Sequence, residues 1–557
     1  MLVLFLALAA AKAWVCDDAF ITLRSVDNLR HGLGPRWNAA ERVQTFTHPL
    51  WMLSLSVATA ATREDYHTTM LLGLLVSGIM AAVLVHRVAR SPSGAAAAIG
   101  VLALSSACTD YATSGLENPL AHLCVVLFAA ELLASPAPRL RVLALVAGIA
   151  ACTRLDGVVL LLPALAWCAA RTPRRAALTA FGLGVLPLVA WEVFAAFYYG
   201  AWLPNSAVAK LTSGLGMGIL ATHGLGTLAS SFTGDPVGAL AIGFAVLAAL
   251  RAALRGRAWT PESTLGLGIL LHLVAVVAVG GDFMRGRFVT TCIVASAAVC
   301  ARRNWTRVHA AVWAPACVLL TFVTPGGLLH RTDAHASRLE RTIDSRGIAD
   351  ERAFYAPLTS WRAEQGRTPW PDPATAGAVA QARQSWAVDP LVDLCRAIGI
   401  VPTDDVLPEG AEDAVRAGQL RPVVLVPAVG VFGWYAGPDL HVVDLYGLGD
   451  PLLARLPALD PDPLLARFAP RLAPLRFRAG HYVRRLPEGY FATVLTGTNH
   501  LSDPDLAAYW DDIALATRAP LLAPGRFAAL GRILCGMHEP RLARARARAA
   551  REPGAVP

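Results

Sequence analysis

The chain has 557 residues, of which 55% are hydrophobic and only 16% charged, with ten cysteines and a formal net charge of +9. Its mean hydropathy is +0.48, and soluble chains carry about 25% charged residues, so an ordinary soluble protein is excluded and a polytopic membrane protein is indicated. The basic excess does not point to nucleic acid, because most arginines fall in short bursts between apolar runs, where they orient a chain in a membrane.

The first run, "MLVLFLALAAAKAW", has the length of a signal h-region and an A-x-A-like "AKA" at 11–13. It lacks a charged n-region, and is read as a retained first helix whose cytoplasmic end the assigned start has trimmed. Further spans are expected near 70–85, 94–107, 119–135, 140–151, 158–170, 176–199, 236–253, 264–280, 288–300 and 308–324. That makes about eleven transmembrane helices, several of them short of the roughly 20 residues a bilayer core demands. The stretch "PLWMLSLSVATAA" at 49–61 is read as a helix in the interface.

Charge supports that choice. With the N-terminus inside, the inner loops carry Arg87, Arg90, Arg139, Arg141, Arg171, Arg174, Arg175, Arg251, Arg255, Arg257, Arg302, Arg303 and Arg307, with hardly an acid among them. Counting 49–61 as a span would put these arginines outside. The acids Asp17, Asp18, Glu41, Asp110, Glu117, Asp156 and Asp282 then share the outer loops.

Adjacent carboxylates point about 100° apart on a helix, so Asp17 and Asp18 have separate tasks. One accepts a proton from an incoming hydroxyl while its neighbour orients it, binds a cation or holds the acceptor. Alone, "DD" would more simply be a solvated helix end. It is followed by Arg24, Asn28, Arg36, Trp37, Asn38, Glu41, Arg42 and His48, and by the outer loops "TDYATSGLENP", "CTRLDG", "YYGAWLPNSAVAK" and "GGDFMRGR". Such loops are costly in hydrocarbon unless they line a wet cavity. Carboxylates for a hydroxyl, with Arg154, Lys210, Arg285 and Arg287 for an anion, suit a lipid-phosphate donor whose tail stays in the bilayer. Interfacial snorkelling is an equal explanation for any single one of these bases.

The stretch "DDAFITLRSVDNLRHGLGPRWNAAERVQTFTHPLW" resembles the first external loop of GT-C glycosyltransferases, which take sugars from polyprenyl phosphates. With "ATSGLENPL", "TRLDG", "LPNSAVAK", "GGDFMRGR" and "VVDLYGLGDPLLARLP" in order, the chain is similar to the AftB family of terminal β-(1→2)-arabinofuranosyltransferases. The resemblance implies a GT-C fold of about eleven transmembrane helices with an extracytoplasmic cap, in the plasma membrane. Its donor would be decaprenyl-phosphoryl arabinose and its acceptor a cell-envelope polysaccharide. It puts Asp17 and Asp18 at the catalytic positions, with Arg154, Asp282, Arg285 and Arg287 near the donor phosphate. Arg24, His48, Glu117, Asp156, Asn205 and Lys210 complete the substrate-binding candidates. The N-terminus is short for the family, and Leu155 and His48 stand where Pro and Asn are expected, so another polyprenyl-linked sugar stays open. A divalent cation at Asp17 or Asp18 would stabilise the leaving group, but no multi-ligand spacing supports one, and no metal or other cofactor is assigned.

Residues 1–325 are thus read as the membrane domain and 326–557 as an α/β or α+β cap, with helix-like stretches at 333–347 and 375–399 and strand-like runs at 421–432 and 441–447. Trp361, Trp370, Trp434, Tyr435, Tyr482, Tyr490 and Trp510 are candidates for sugar stacking, though core packing is the commoner use. Cys395 and Cys535 are read as free thiols rather than a disulfide, and the arginine-rich tail as solvated or lying on acidic lipid. A lipid-linked-sugar flippase would need ionisable groups near the bilayer midplane or repeated halves. Within the spans there are only a few such groups, for example Lys12, Glu131, Glu192 and His272, and no repeat is apparent.

Overall fold

A computed structural model describes the chain except residues 256–258, 324–341, 362–372, 386–394, 397–398, 403–407, 461–477, 479 and 552–557. Much of the 333–347 stretch, parts of 375–399 and Trp370 lie outside the described residues. Two compact units interleave along the sequence. One comprises Met1–Cys16, His48–Ala190 and Met217–Thr368, the other Asp17–Thr47, Trp191–Gly216 and Pro369–Pro557. The division at 325 follows hydropathy; packing follows this other line.

The first unit is helical. Among the described residues of the chain, four helices are long and apolar enough to cross a membrane: Tyr66–Val88, Arg174–Tyr199, Pro236–Leu254 and Pro261–Ala278, with shorter apolar helices beside them. Apolar side chains gain nothing by leaving lipid for one another, so small residues carry close packing between such helices. A Cβ on Gly148 would lie 1.8 Å from the Gly184 carbonyl oxygen, and one on Gly184 would lie 2.7 Å from Ala144. Helices Leu140–Ala151 and Arg174–Tyr199 therefore touch backbone to backbone.

Polar residues of this unit sort to opposite helix ends. Glu117 immediately precedes helix Asn118–Ala129, Arg154 follows Leu140–Ala151, and Asp282 to Arg287 follow Pro261–Ala278. At the far ends of these and neighbouring helices, Arg139 pairs with Glu131 at 2.8 Å, Arg302 Nη1 donates to Val88 O, and Trp167 Nε1 donates to Trp259 O. Helix Pro49–Thr62 starts beside His48 and ends near Tyr66, whose hydroxyl donates to Thr359 O at 2.8 Å. Both its ends stay at the acid-bearing side, because His48 meets Glu117 and Thr359 O accepts from Val15 N, next to Cys16 on Ser114 O.

The longest described helix of this unit without a counterpart among the expected elements is Met217–Gly234. Its buried face is Gly224, Gly226, Thr227, Ser230, Ser231 and Gly234, too polar for a hydropathy reading. Thr227 Oγ1 donates to Asp282 O at 2.8 Å, and Gly286 N donates to Ser231 Oγ at 3.0 Å. The helix thus buttresses the "GGDFMRGR" loop.

The second unit holds a βαβ element. Strands Val423–Val426 and His441–Asp444 pair in parallel, with Val423 opposite His441 and Val426 opposite Asp444. A parallel pair requires a crossover, and helix Gly430–Ala436 supplies it, so the strand-like run at 421–432 is strand only at its start. Around it lies a core that includes Ile21, Trp37, Tyr490 and Trp510. Tyr482, Tyr490 and Trp510 are buried there, whereas Trp361 of the first unit is 43% exposed. The tail helix Glu539–Ala549 is docked by its arginines: Arg544 pairs with Asp505 at 2.5 Å and Arg548 with Asp503 at 2.8 Å. All described cysteines are free thiols, Cys395 buried and Cys535 exposed.

Candidate active site

Asp17 and Asp18 open helix Asp17–Arg30 in the second unit. Both Asp17 oxygens are engaged: Oδ2 accepts from Gly430 N at 3.0 Å and Oδ1 from Val431 N at 2.8 Å. The start of helix Gly430–Ala436, whose first N–H groups lack intrahelical partners, is closed by a carboxylate from the other end of the chain. Only glycine permits this approach, since a Cβ on Gly430 would sit 1.9 Å from Asp17 O and 2.7 Å from its Cγ. Desolvation pushes the Asp17 carboxyl above its ordinary value, and the bonds from Val431 and Gly430 pull it back only in part.

About two helical turns on, Arg24 is 1% exposed. Nε donates to Trp37 O at 2.8 Å, Nη1 to Gly433 O at 2.5 Å, and Nη2 to Leu440 O at 2.9 Å and Asn38 Oδ1 at 3.2 Å. Its guanidinium lies 4.6 Å over the Trp37 ring. The indole is held between two glycines, because a Cβ on Gly433 or Gly449 would meet it at 2.4 or 2.6 Å. Arg24 therefore braces the first loop against the βαβ element.

Asn205 plays a similar part. Its Nδ2 donates to Gly447 O, Leu448 O and Asp450 O at 2.8, 3.1 and 2.9 Å, tying "LPNSAVAK" to "VVDLYGLGD". Lys210 lies in the last turn of the same helix, Asn205–Leu211. Asp444 accepts from Tyr446 N at 2.9 Å and Leu448 N at 2.6 Å. Burial pushes its carboxyl up to about 7 against the pull of these backbone bonds. Glu41 accepts from Arg518 Nη2 at 3.2 Å, and Asp450 accepts from the Tyr490 hydroxyl at 2.5 Å. Arg518, Asp450 and Asp444 are not among the binding candidates read from sequence; the pairings of Arg518 with Glu41 and of Asp450 with Tyr490 join residues 477 and 40 positions apart, and no local pattern marks them.

The first unit gathers six of the sequence-derived binding candidates into one buried ion cluster. Glu117, 1% exposed, receives Arg154 Nη1 at 3.1 Å, Arg287 Nη2 at 3.2 and 3.3 Å, and faces His48 Nδ1 at 3.1 Å. Asp156 grips Arg154 through both oxygens, at 3.1 and 2.7 Å, and Asp282 Oδ2 accepts from Arg287 Nη1 at 3.4 Å. The Phe288 ring closes over Arg154 at 4.5 Å. Burial alone would raise the Glu117 carboxyl, but Arg287, His48 and Arg154 together outweigh it and hold the group well below the usual carboxylate range. Two buried arginines are thus kept charged and fixed in place, the state an anion site needs.

Arg285 belongs to the same loop but pairs with Asp350, which sequence reasoning did not single out. It lines a small polar cavity with Asp110, Asp235, Asp350 and Arg352. Among the described residues no three His, Cys, Asp or Glu side chains come together as metal ligands.

Over 522 residues the chain is 27% identical to a terminal β-(1→2)-arabinofuranosyltransferase of Corynebacterium glutamicum, covering 81% of this chain and 72% of that protein. Over 509 residues it is 26% identical to a terminal β-(1→2)-arabinofuranosyltransferase of Mycobacterium tuberculosis, covering 80% of this chain and 79% of that protein. No family model matches the chain, and no solved structure matches it significantly.

Proposed function

We propose, from the premise that the chain is an AftB-like glycosyltransferase, that it transfers D-arabinofuranose from decaprenyl-phosphoryl arabinose to a hydroxyl of cell-envelope arabinan at the outer face of the plasma membrane. The observation that carries this reading is the similarity to two arabinofuranosyltransferases across four fifths of the chain. Residues 1–325 form the membrane part with eleven crossings, and 326–557 the external part. The separation of acids from arginines at opposite helix ends of the first unit supports this topology.

In the reaction, the acceptor oxygen bonds to the anomeric carbon while the bond from that carbon to the phosphate oxygen breaks, and decaprenyl phosphate leaves with the electron pair. Asp18 takes the hydroxyl proton. Asp17, whose two oxygens receive backbone N–H groups, fixes the start of the helix that presents Asp18. Arg154, Arg285 and Arg287 counter the charge growing on the leaving phosphate, and Glu117 and His48 hold two of these arginines steady.

The test incubates purified protein with labelled decaprenyl-phosphoryl arabinose and an oligo-arabinan, comparing wild type with Asp17→Asn and Asp18→Asn. Transfer by wild type that disappears in Asp18→Asn is expected. No transfer by wild type, with turnover from another polyprenyl-phosphate sugar, would overturn the choice of donor.

A further inference from the structure

Helix Arg526–Leu534 of the second unit is apolar on two faces. Its inner side carries Ala529 and Leu530, both buried. Its outer side carries Phe527, 58% exposed, and then Ala528, Gly531 and Cys535 in the i, i+1, i+4, i+8 pattern of a single face. Leu522 before it and Met537 after it are 78% and 62% exposed.

The two basic residues of the helix are turned to internal partners. Arg526 is fully buried and donates to Phe197 O at 2.6 Å and Ala516 O at 3.1 Å. Arg532 forms a two-pronged pair with Asp512 at 2.7 and 2.6 Å. Water-facing helices keep charge on the outside, and a contiguous exposed apolar face marks a binding surface.

What this face adjoins identifies its partner. Arg526 holds the end of helix Arg174–Tyr199, a segment long and apolar enough to cross a membrane. Phe527 and Phe197 have ring centroids 6.3 Å apart, and Trp202, 52% exposed, donates from Nε1 to Leu534 O at 3.1 Å. An aromatic cluster at the end of a spanning helix is the mark of the membrane–water interface.

We propose that Arg526–Leu534, flanked by Leu522 and Met537, lies in the lipid interface as a monotopic anchor, continuing the lipid-facing surface of the spanning helix. Such helices sink their apolar face about 5–10 Å into the headgroup boundary. This inference rests on the membrane crossing of Arg174–Tyr199 and not on the sugar-transfer reading, so the two fail separately.

The test reconstitutes the full chain in phosphatidylethanolamine–phosphatidylglycerol vesicles, in a Cys535→Ser background whose own label uptake serves as blank. An environment-sensitive fluorophore is placed at Phe527→Cys and, as a second site, at Leu522→Cys. Glu412→Cys, whose parent side chain is 53% exposed, is the water-facing control. The anchor predicts quenching at 527 and 522 by lipid spin-labelled near the headgroup, several-fold above the control, with little quenching by iodide. Iodide quenching equal to the control would overturn it. So would protection from both quenchers, which would mean that protein covers the face.

Discussion

Arg287 and Arg154 converge on one carboxylate, Glu117, at 3.2 and 3.1 Å, from loops 133 residues apart in the chain. Removing one member of a buried ion cluster leaves the others uncompensated, which costs about 3–5 kcal/mol for an isolated pair. Because Asp156 and Asp282 still face the two arginines, Glu117→Gln is expected at the lower end, about 3 kcal/mol, read as a clear drop in melting temperature. A carboxylate depressed in the folded state contributes stability above its unfolded value near 4.5 and loses it as pH falls further. Acid melts of wild type should therefore steepen below that value, and those of Glu117→Gln should not.

Asp17 and Asp18 should separate by readout. Asp17→Asn turns an amide toward a backbone N–H and costs about 1–3 kcal/mol, lowering melting temperature and turnover together. Asp18→Asn is expected to keep the melting temperature and lose kcat. Gly430→Ala, whose new Cβ would meet Asp17, should reproduce the Asp17 phenotype. Equal melting temperatures for wild type and both Asp17→Asn and Gly430→Ala would refute the helix-closing role.

Asp444 predicts a pH dependence of opposite sense to that of Glu117. Its folded-state value, about 7 against 3.8 ordinarily, means that the native state binds the extra proton between those limits. Stability is full below the lower value and falls as pH rises toward 7, by on the order of 4 kcal/mol at full weight. Melting temperatures from pH 5 to 8 should decline more in wild type than in Asp444→Asn.

Arg24→Lys keeps the charge and loses the planar fork that reaches three carbonyls. A loss of at least about 2 kcal/mol is expected, with increased exposure of Trp37 read by its fluorescence quenching. An unchanged melting temperature would show that Arg24 does not brace the loop.

Much of this was legible locally. Apolar runs became helices, with Leu140–Ala151 matching its expected bounds, because a membrane helix is specified by its own composition. The grouping of His48, Glu117, Arg154, Asp156, Asp282 and Arg287 was anticipated as a set of loops on one side, though not as a cluster organised by Glu117. Charge pattern groups loops that share one end of the helices, while pairing depends on distances that a linear reading does not contain. Met217–Gly234 is not legible in the sequence because Gly, Ser and Thr on its buried face dilute its hydropathy. The engagement of Asp17 was equally hidden, since its partners lie 413 and 414 positions away.

That separation has a consequence for biogenesis. Asp17 is synthesised more than 400 residues before the backbone groups that seat it, which exist only once Gly430 and Val431 have been made. Nascent chains and truncations ending earlier would contain their hydrophobic helices but not a seated Asp17, so competence arrives late, with the second strand of the βαβ element.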